Sequence, residues 1–232
     1  FPTISIDAIP ISPYVLLLSY IPSIHSLTFF TVVQSVFGVG LLLFGTPTML
    51  LLGYSFLETL SYLLPASVVV SFLQVYKNWN QIDFYRINVI FYILPMVVLG
   101  LLLIINYINF NLNLVIGSML LLTFLIRYSK KLNKSLESYL SNNVKAGFLF
   151  IGLVHGLTNL GGAPLVILTN GIHKNKKEIQ SNIAYAYLVM AICQILMLII
   201  VGEFVYDYEL LLLPLISGMI FTAESCSTAE NP

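Results

Sequence analysis

The chain of 232 residues is 58% hydrophobic and only 9% charged, with a mean hydropathy of +0.93. These values exclude an ordinary soluble domain and identify an integral membrane protein. Ten Lys and Arg balance ten Asp and Glu, so net charge says nothing about partners, and no long basic face offers itself to DNA or RNA. Cys193, inside an apolar run, and Cys226, in the tail, form neither a disulfide framework nor a metal-ligand pattern and are read as free thiols. No metal or cofactor is expected.

Phe1 is expected to be a cut or fragment end, since no basic segment with an apolar core is visible at the start. Residues 1–25 carry Pro2, Pro10, Pro13 and Pro22 around a short apolar run and are assigned to the membrane interface. The first span runs from about Ser26 into Gly45-Thr46-Pro47, where it should break, with a half-helix on to Leu52. The second runs from about Phe56 to Tyr76, ending in an aromatic, wet segment whose Tyr76, Trp79 and Tyr85 suit a headgroup belt. The third, about Ile87 to Ile105, should kink at Pro95. Asn106, Asn109, Asn111 and Asn113 then mark a tight turn into the fourth, about Leu112 to Ile126.

A polar linker, residues 127–145, separates a first transmembrane repeat (26–126) from a second (146–222). The fifth span contains Gly152 to Gly171, GLVHGLTNLGGAPLVILTNG, too apolar for a surface loop and too rich in glycine for an ordinary helix. A helix entering from Val144 should stop near Asn159, and Pro164 should open a second, short helix at its first position. The sixth span is about Ile183 to Val201 and the seventh about Leu210 to Phe221, followed by a polar tail, 223–232.

Glu58–Val75 aligns without a gap on Glu178–Ile195, with Glu58, Ser61, Ala66, Val69 and Gln74 identical to Glu178, Ser181, Ala186, Val189 and Gln194. Upstream, Gly45-Thr46-Pro47 matches Gly162-Ala163-Pro164. A first unit of four spans, an even number, predicts two parallel repeats and an eighth span beyond the chain's last apolar run. The fold class is therefore all-α, polytopic, with a broken first helix in each repeat. Counting Lys and Arg puts Lys77, Arg86 and the 127–145 linker on the cytoplasmic side, with Lys174, Lys176 and Lys177 on the other.

A break inside hydrocarbon leaves backbone N–H and C=O groups that must face protein, water or a ligand. The plainer reading of Gly156, Gly161 and Gly162 is close packing of two membrane helices. The paired breaks favour a site. Helix N-termini near Pro47 and Pro164 would offer N–H groups and the positive end of the helix dipole to an anion, with Gly45, Thr46, Thr48, Thr158, Asn159, Gly161, Gly162 and Ala163 around them. His155 is read first as a neutral histidine bonded to a neighbouring carbonyl, and second as a proton-coupling group. Gln74 and Gln194 either line a path or link helices, and Glu58 and Glu178 are read as helix-start carboxylates. Neither HExxH, GxSxG nor a paired Asp motif is present, so an embedded enzyme is the weaker alternative, as is a non-transporting subunit.

The element GLTNLGGAPLVIL, the weaker LLLFGTPTMLLLG, in which Phe44 stands where another glycine is usual, and the repeat together resemble the TauE/SafE family of sulfite exporter-like permeases. That resemblance implies a multi-pass protein of the inner (plasma) membrane, usually of eight spans, moving small sulfur-containing or organic anions. Its partners would be the anion and the lipid bilayer, with a homo-oligomer left open.

Overall fold

The computed structural model describes residues 41–82, 85–107 and 112–205. The expected interfacial segment, most of the first span and the seventh span lie outside the described residues. Those described form helices and turns without strands: α1 (Leu41–Leu51), α2 (Phe56–Lys77), a 3-10 turn (Trp79–Gln81), α3 (Tyr85–Asn88), a π turn (Val89–Ile93), α4 (Leu94–Tyr107), α5 (Leu112–Tyr128), α6 (Lys130–Asn142), α7 (Val144–Thr158), α8 (Gly162–Ile172) and α9 (Lys176–Val201).

Among the described residues, three helical stretches are long and apolar enough to cross a bilayer: Phe56–Lys77, Arg86–Asn106 and Lys176–Val201. The first begins at a capping box. Ser55 Oγ accepts from the Glu58 N–H at 3.3 Å and the Glu58 carboxylate accepts from the Ser55 N–H at 2.7 Å, which gives Glu58 the structural role its position suggests. In the second, Pro95 would crowd the carbonyl four residues back, and the helix widens just there: the Leu94 N–H bonds to Val89 O, five residues earlier. Leu121 and Phe124 of α5 and Ile200 of α9 are exposed, as suits side chains that meet lipid rather than water.

The long helices α2 and α9 pack side by side in opposite directions. Asn182, near the start of α9, donates to Gln81 O just past the end of α2 at 3.3 Å, while the Val205 N–H, past the end of α9, bonds Ser61 Oγ near the start of α2 at 3.1 Å. These two helices carry the aligned segments, so the expected parallel arrangement of repeats is overturned.

The reason lies in α7 and α8. A Cβ on Gly147, early in α7, would meet Leu168, late in α8, at 3.5 Å, and one on Gly171 would meet Glu137 and Ser141 of α6 at 3.1 Å. The chain therefore turns back at Asn159–Gly161, and the fifth apolar stretch is folded as a helical hairpin rather than as one continuous helix. Its 15-residue arm rises about 22 Å at 1.5 Å per residue, short of the ~30 Å hydrocarbon layer. Counting the hairpin as a span reversed the inferred side of everything after it.

With the hairpin in place, Lys77 at the end of α2 and Lys174, Lys176 and Lys177 at and just before the start of α9 fall at one, basic end, where Asn182 of α9 bonds Gln81 O. Arg86 lies over the Trp79 ring at 5.2 Å and Lys145 over Tyr92 at 5.8 Å, tying the starts of α3 and α7 to that end. The expected placement of Lys174, Lys176 and Lys177 opposite the linker is corrected accordingly. Cysteines introduced singly at Lys134 and Lys176 in a background without native cysteines are expected to react with an impermeant thiol reagent from the same, cytoplasmic face. Labelling from opposite faces would contradict the hairpin.

The break expected at Gly45-Thr46-Pro47 is absent: α1 runs through all three residues. Pro47 forfeits one ladder bond, Thr48 Oγ1 donates to Phe44 O at 2.8 Å, and Gly45 lies tightly against Leu63 of α2, so packing and a side chain support the helix there. It ends instead at Gly53, whose φ of 96° allows the Gly53 N–H to bond Leu50 O and the Tyr54 N–H to bond Met49 O. That turn delivers the chain to Ser55, at the end opposite the lysines.

Candidate functional site

The hairpin tip is built by three successive local choices. Thr158 donates to Val154 O at 2.7 Å and its hydroxyl oxygen accepts from the Leu160 N–H at 3.2 Å, bending the chain out of the helix. Asn159 then takes φ 61°, the left-handed conformation that closes a helix, while its N–H bonds His155 O. Gly161 follows with so little space that a Cβ would meet His155 Cβ at 2.5 Å. After these, α8 starts at Gly162, with no side chain capping it. Pro164 is its third residue rather than its first, but the same logic holds, since a missing N–H within the first turn costs no ladder bond. The N–H groups of Gly162 and Ala163 point out of the helix start.

What surrounds this tip is fully buried and polar. Asn159 Nδ2 donates to Thr46 Oγ1 at 2.9 Å, so the middle of α1 meets the tip across 113 residues of sequence. His155, Asn159, Gln194 and Thr46 are buried at 0% exposure, which excludes bulk water as their partner. Even so, among the described residues both ring nitrogens of His155, Asn159 Oδ1, Tyr187 Oη and both amide atoms of Gln194 have no hydrogen-bond partner. Gln194 is the polar neighbour of the His155 ring, but the pair is not aligned into a formed hydrogen bond. Tyr187 stands edge-on to the same ring, centroids 6.0 Å apart, and its hydroxyl occupies the place that a Cβ on Gly162 would take. Leaving buried polar atoms unpaired costs about 1–3 kcal/mol each, so such a cluster is a marker of a site rather than of packing.

The structure thus gathers Thr46, His155, Thr158, Asn159, Gly161, Gly162, Ala163, Pro164 and Gln194 at or beside the tip. Thr48 is spent on its own helix, and Gln74 shares no hydrogen bond with the unpaired atoms. Among the described residues no neighbouring carbonyl bonds the His155 ring. Tyr187 was missed by sequence reasoning. A tyrosine in the middle of an apolar helix was the available signal, because a buried phenol ordinarily finds a partner. The glycines also separate by role. A Cβ on Gly152 would strike Ile93 O and one on Gly156 would strike Val97 O, so these two serve close packing of α7 on α4, as the packing alternative held for Gly156.

From the α5 side, a cavity of about 160 Å³ reaches the first turn of α8, lined among others by Thr123, Phe150, Val154, Leu160, Ala163 and Pro164. Its lining is nearly all apolar, which suits a lipid chain or side chain better than an ion. Among the described residues no group of His, Cys, Asp and Glu could hold a metal ion.

Residues 26–224 match the family described as Sulfite exporter TauE/SafE. No similar protein is found among curated sequences, nor among solved structures.

Proposed function

The chain belongs to the sulfite exporter TauE/SafE family and is a multi-pass membrane transporter, and from that premise we propose that it carries small oxyanions through the tip of the α7–α8 hairpin. The observation that supports this most is a buried tip with an uncapped helix N-terminus beside unpaired polar side chains, at a depth where only a ligand or protein could satisfy them. Gly161, Gly162, Ala163 and Pro164 supply the approach of the backbone, Asn159 and Thr46 its side-chain frame. Binding here would be modest, as transport requires, because no Lys or Arg is among the buried residues around the tip.

The two units would then be inverted repeats. Helix α1 leads into α2 and α8 leads into α9, and α2 and α9 run in opposite directions. Such inverted pairs place a substrate at their interface near the bilayer midplane, and the contact of Thr46 with Asn159 supports that place for it here. The basic end faces the cytoplasm of the cell's inner membrane in this reading, and its lysines raise the local anion concentration at the mouth.

The test is anion flux in proteoliposomes containing the full-length protein, with sulfite, thiosulfate, a sulfonate and a carboxylate as cargo. Sulfite or sulfonate movement well above that of protein-free vesicles is expected. Absence of movement for every anion in correctly oriented protein would end this reading.

A further inference from the structure

We propose that Tyr187, Gln194 and His155 complete, with the first turn of α8, an uncharged binding site that selects a singly charged oxyanion still carrying one O–H. The inference rests on the transport reading above and names the ligand form that the same site takes.

Three observations carry it. First, the Tyr187 hydroxyl stands directly over Gly162 at the start of an 11-residue helix, buried to 1% exposure and without a partner, so a side-chain donor and the helix's own N–H groups converge on one point. An oxyanion oxygen there would accept from both. Second, the positive potential is limited to a helix end, equivalent to roughly half an elementary charge. That half-charge offsets part of a single negative charge, whereas a dianion would bring a second with nothing opposite it in a water-poor interior.

Third, the unpaired atoms are not all donors. Asn159 Oδ1 and Gln194 Oε1 can only accept, and a neutral imidazole keeps one accepting nitrogen. Beside a fully deprotonated oxyanion these atoms would face negative oxygens. Beside an oxyanion with one O–H, Gln194 Oε1 receives that proton in a hydrogen bond, and the other acceptors are left to partner the protein donors. Gly162 is what makes the arrangement possible: any Cβ at that position takes the space of the Tyr187 hydroxyl.

The experiment compares three probes in proteoliposomes at one mildly acidic pH that keeps sulfite singly protonated: hydrogensulfite, a monoanion with O–H; methanesulfonate, a monoanion without it; and sulfate, a dianion. Wild-type protein is expected to carry hydrogensulfite with the highest kcat/KM, methanesulfonate roughly tenfold less well for the lost hydrogen bond, and sulfate at background. Tyr187→Phe keeps the ring and removes only the hydroxyl, and should raise KM for both monoanions roughly tenfold. Gln194→Leu should instead erase the preference for hydrogensulfite over methanesulfonate, a ratio that merely loosened packing would leave unchanged. Sulfate carried as well as hydrogensulfite, or an unaltered ratio and KM in both folded variants, would overturn this proposal while leaving anion transport standing. Movement of no anion at all would overturn both.

Discussion

Replacing Gly162 by Val is expected to reduce anion flux by about 100-fold or more while folded protein still reaches the membrane. A Cβ there collides with the Tyr187 hydroxyl and approaches its Cζ to 2.7 Å, and both belong to the far end of a side chain. The ring can yield at a cost of about 1–3 kcal/mol, but in yielding it carries the hydroxyl out of the site, and the valine methyls fill the space the anion needs. Displacements of this size at a reacting or binding centre cost about a hundredfold in rate. Gly161→Val makes an informative contrast, because its Cβ meets Ile151 O at 2.9 Å and His155 Cα at 3.1 Å, which are backbone atoms of the opposite hairpin arm. That variant should lose folded protein as well as flux. Wild-type flux from well-folded Gly162→Val protein would show that the start of α8 lies off the path.

The second large effect falls on folding alone. Gly156→Val would drive a Cβ against Val97 O and within 3.0 Å of Gly100 Cα, and a Cβ on Gly100 would in turn meet Gly156 C at 2.9 Å. Nothing in that contact is a movable side chain, so α4 and α7 must separate along their whole seam. The cost is expected to reach about 3 kcal/mol or more, and α7 is the arm that sets the depth of the hairpin tip. Yield from membranes and the thermal midpoint in detergent measure it. A Gly156→Val protein with wild-type yield and midpoint would mean that the two backbones are not in contact.

Much of the architecture was legible because it depends on neighbours a few residues apart. Hydropathy and length define both ends of α2 and the end of α9 at Val201, whereas α9 starts at Lys176, about two turns before the expected Ile183, because its polar first turns carry no apolar signal. The stop at Asn159 follows from a small-residue run ahead of a proline, and the disturbance at Pro95 from a ring that cannot fit an α turn. These are consequences of the local backbone.

Direction through the membrane was a different matter. Nothing in residues 144–172 distinguishes a helix that breaks and continues from one that breaks and returns, since both need the same glycines and the same proline. The return is decided by what α8 packs against: Leu168 on Gly147, and Gly171 on Glu137 and Ser141. Those contacts fold α7 and α8 back on each other and set Lys174, Lys176 and Lys177 at the same end as Lys77. For the same reason Gly45-Thr46-Pro47, so like its counterpart in composition, stays helical against Leu63. Composition and short-range pattern by themselves determined that this is a membrane protein with a backbone irregularity at its fifth apolar stretch. Only tertiary structure decided that Tyr187 stands over Gly162, because residues 25 apart in sequence are brought together by the packing of α9 on α8 and by no local preference of either.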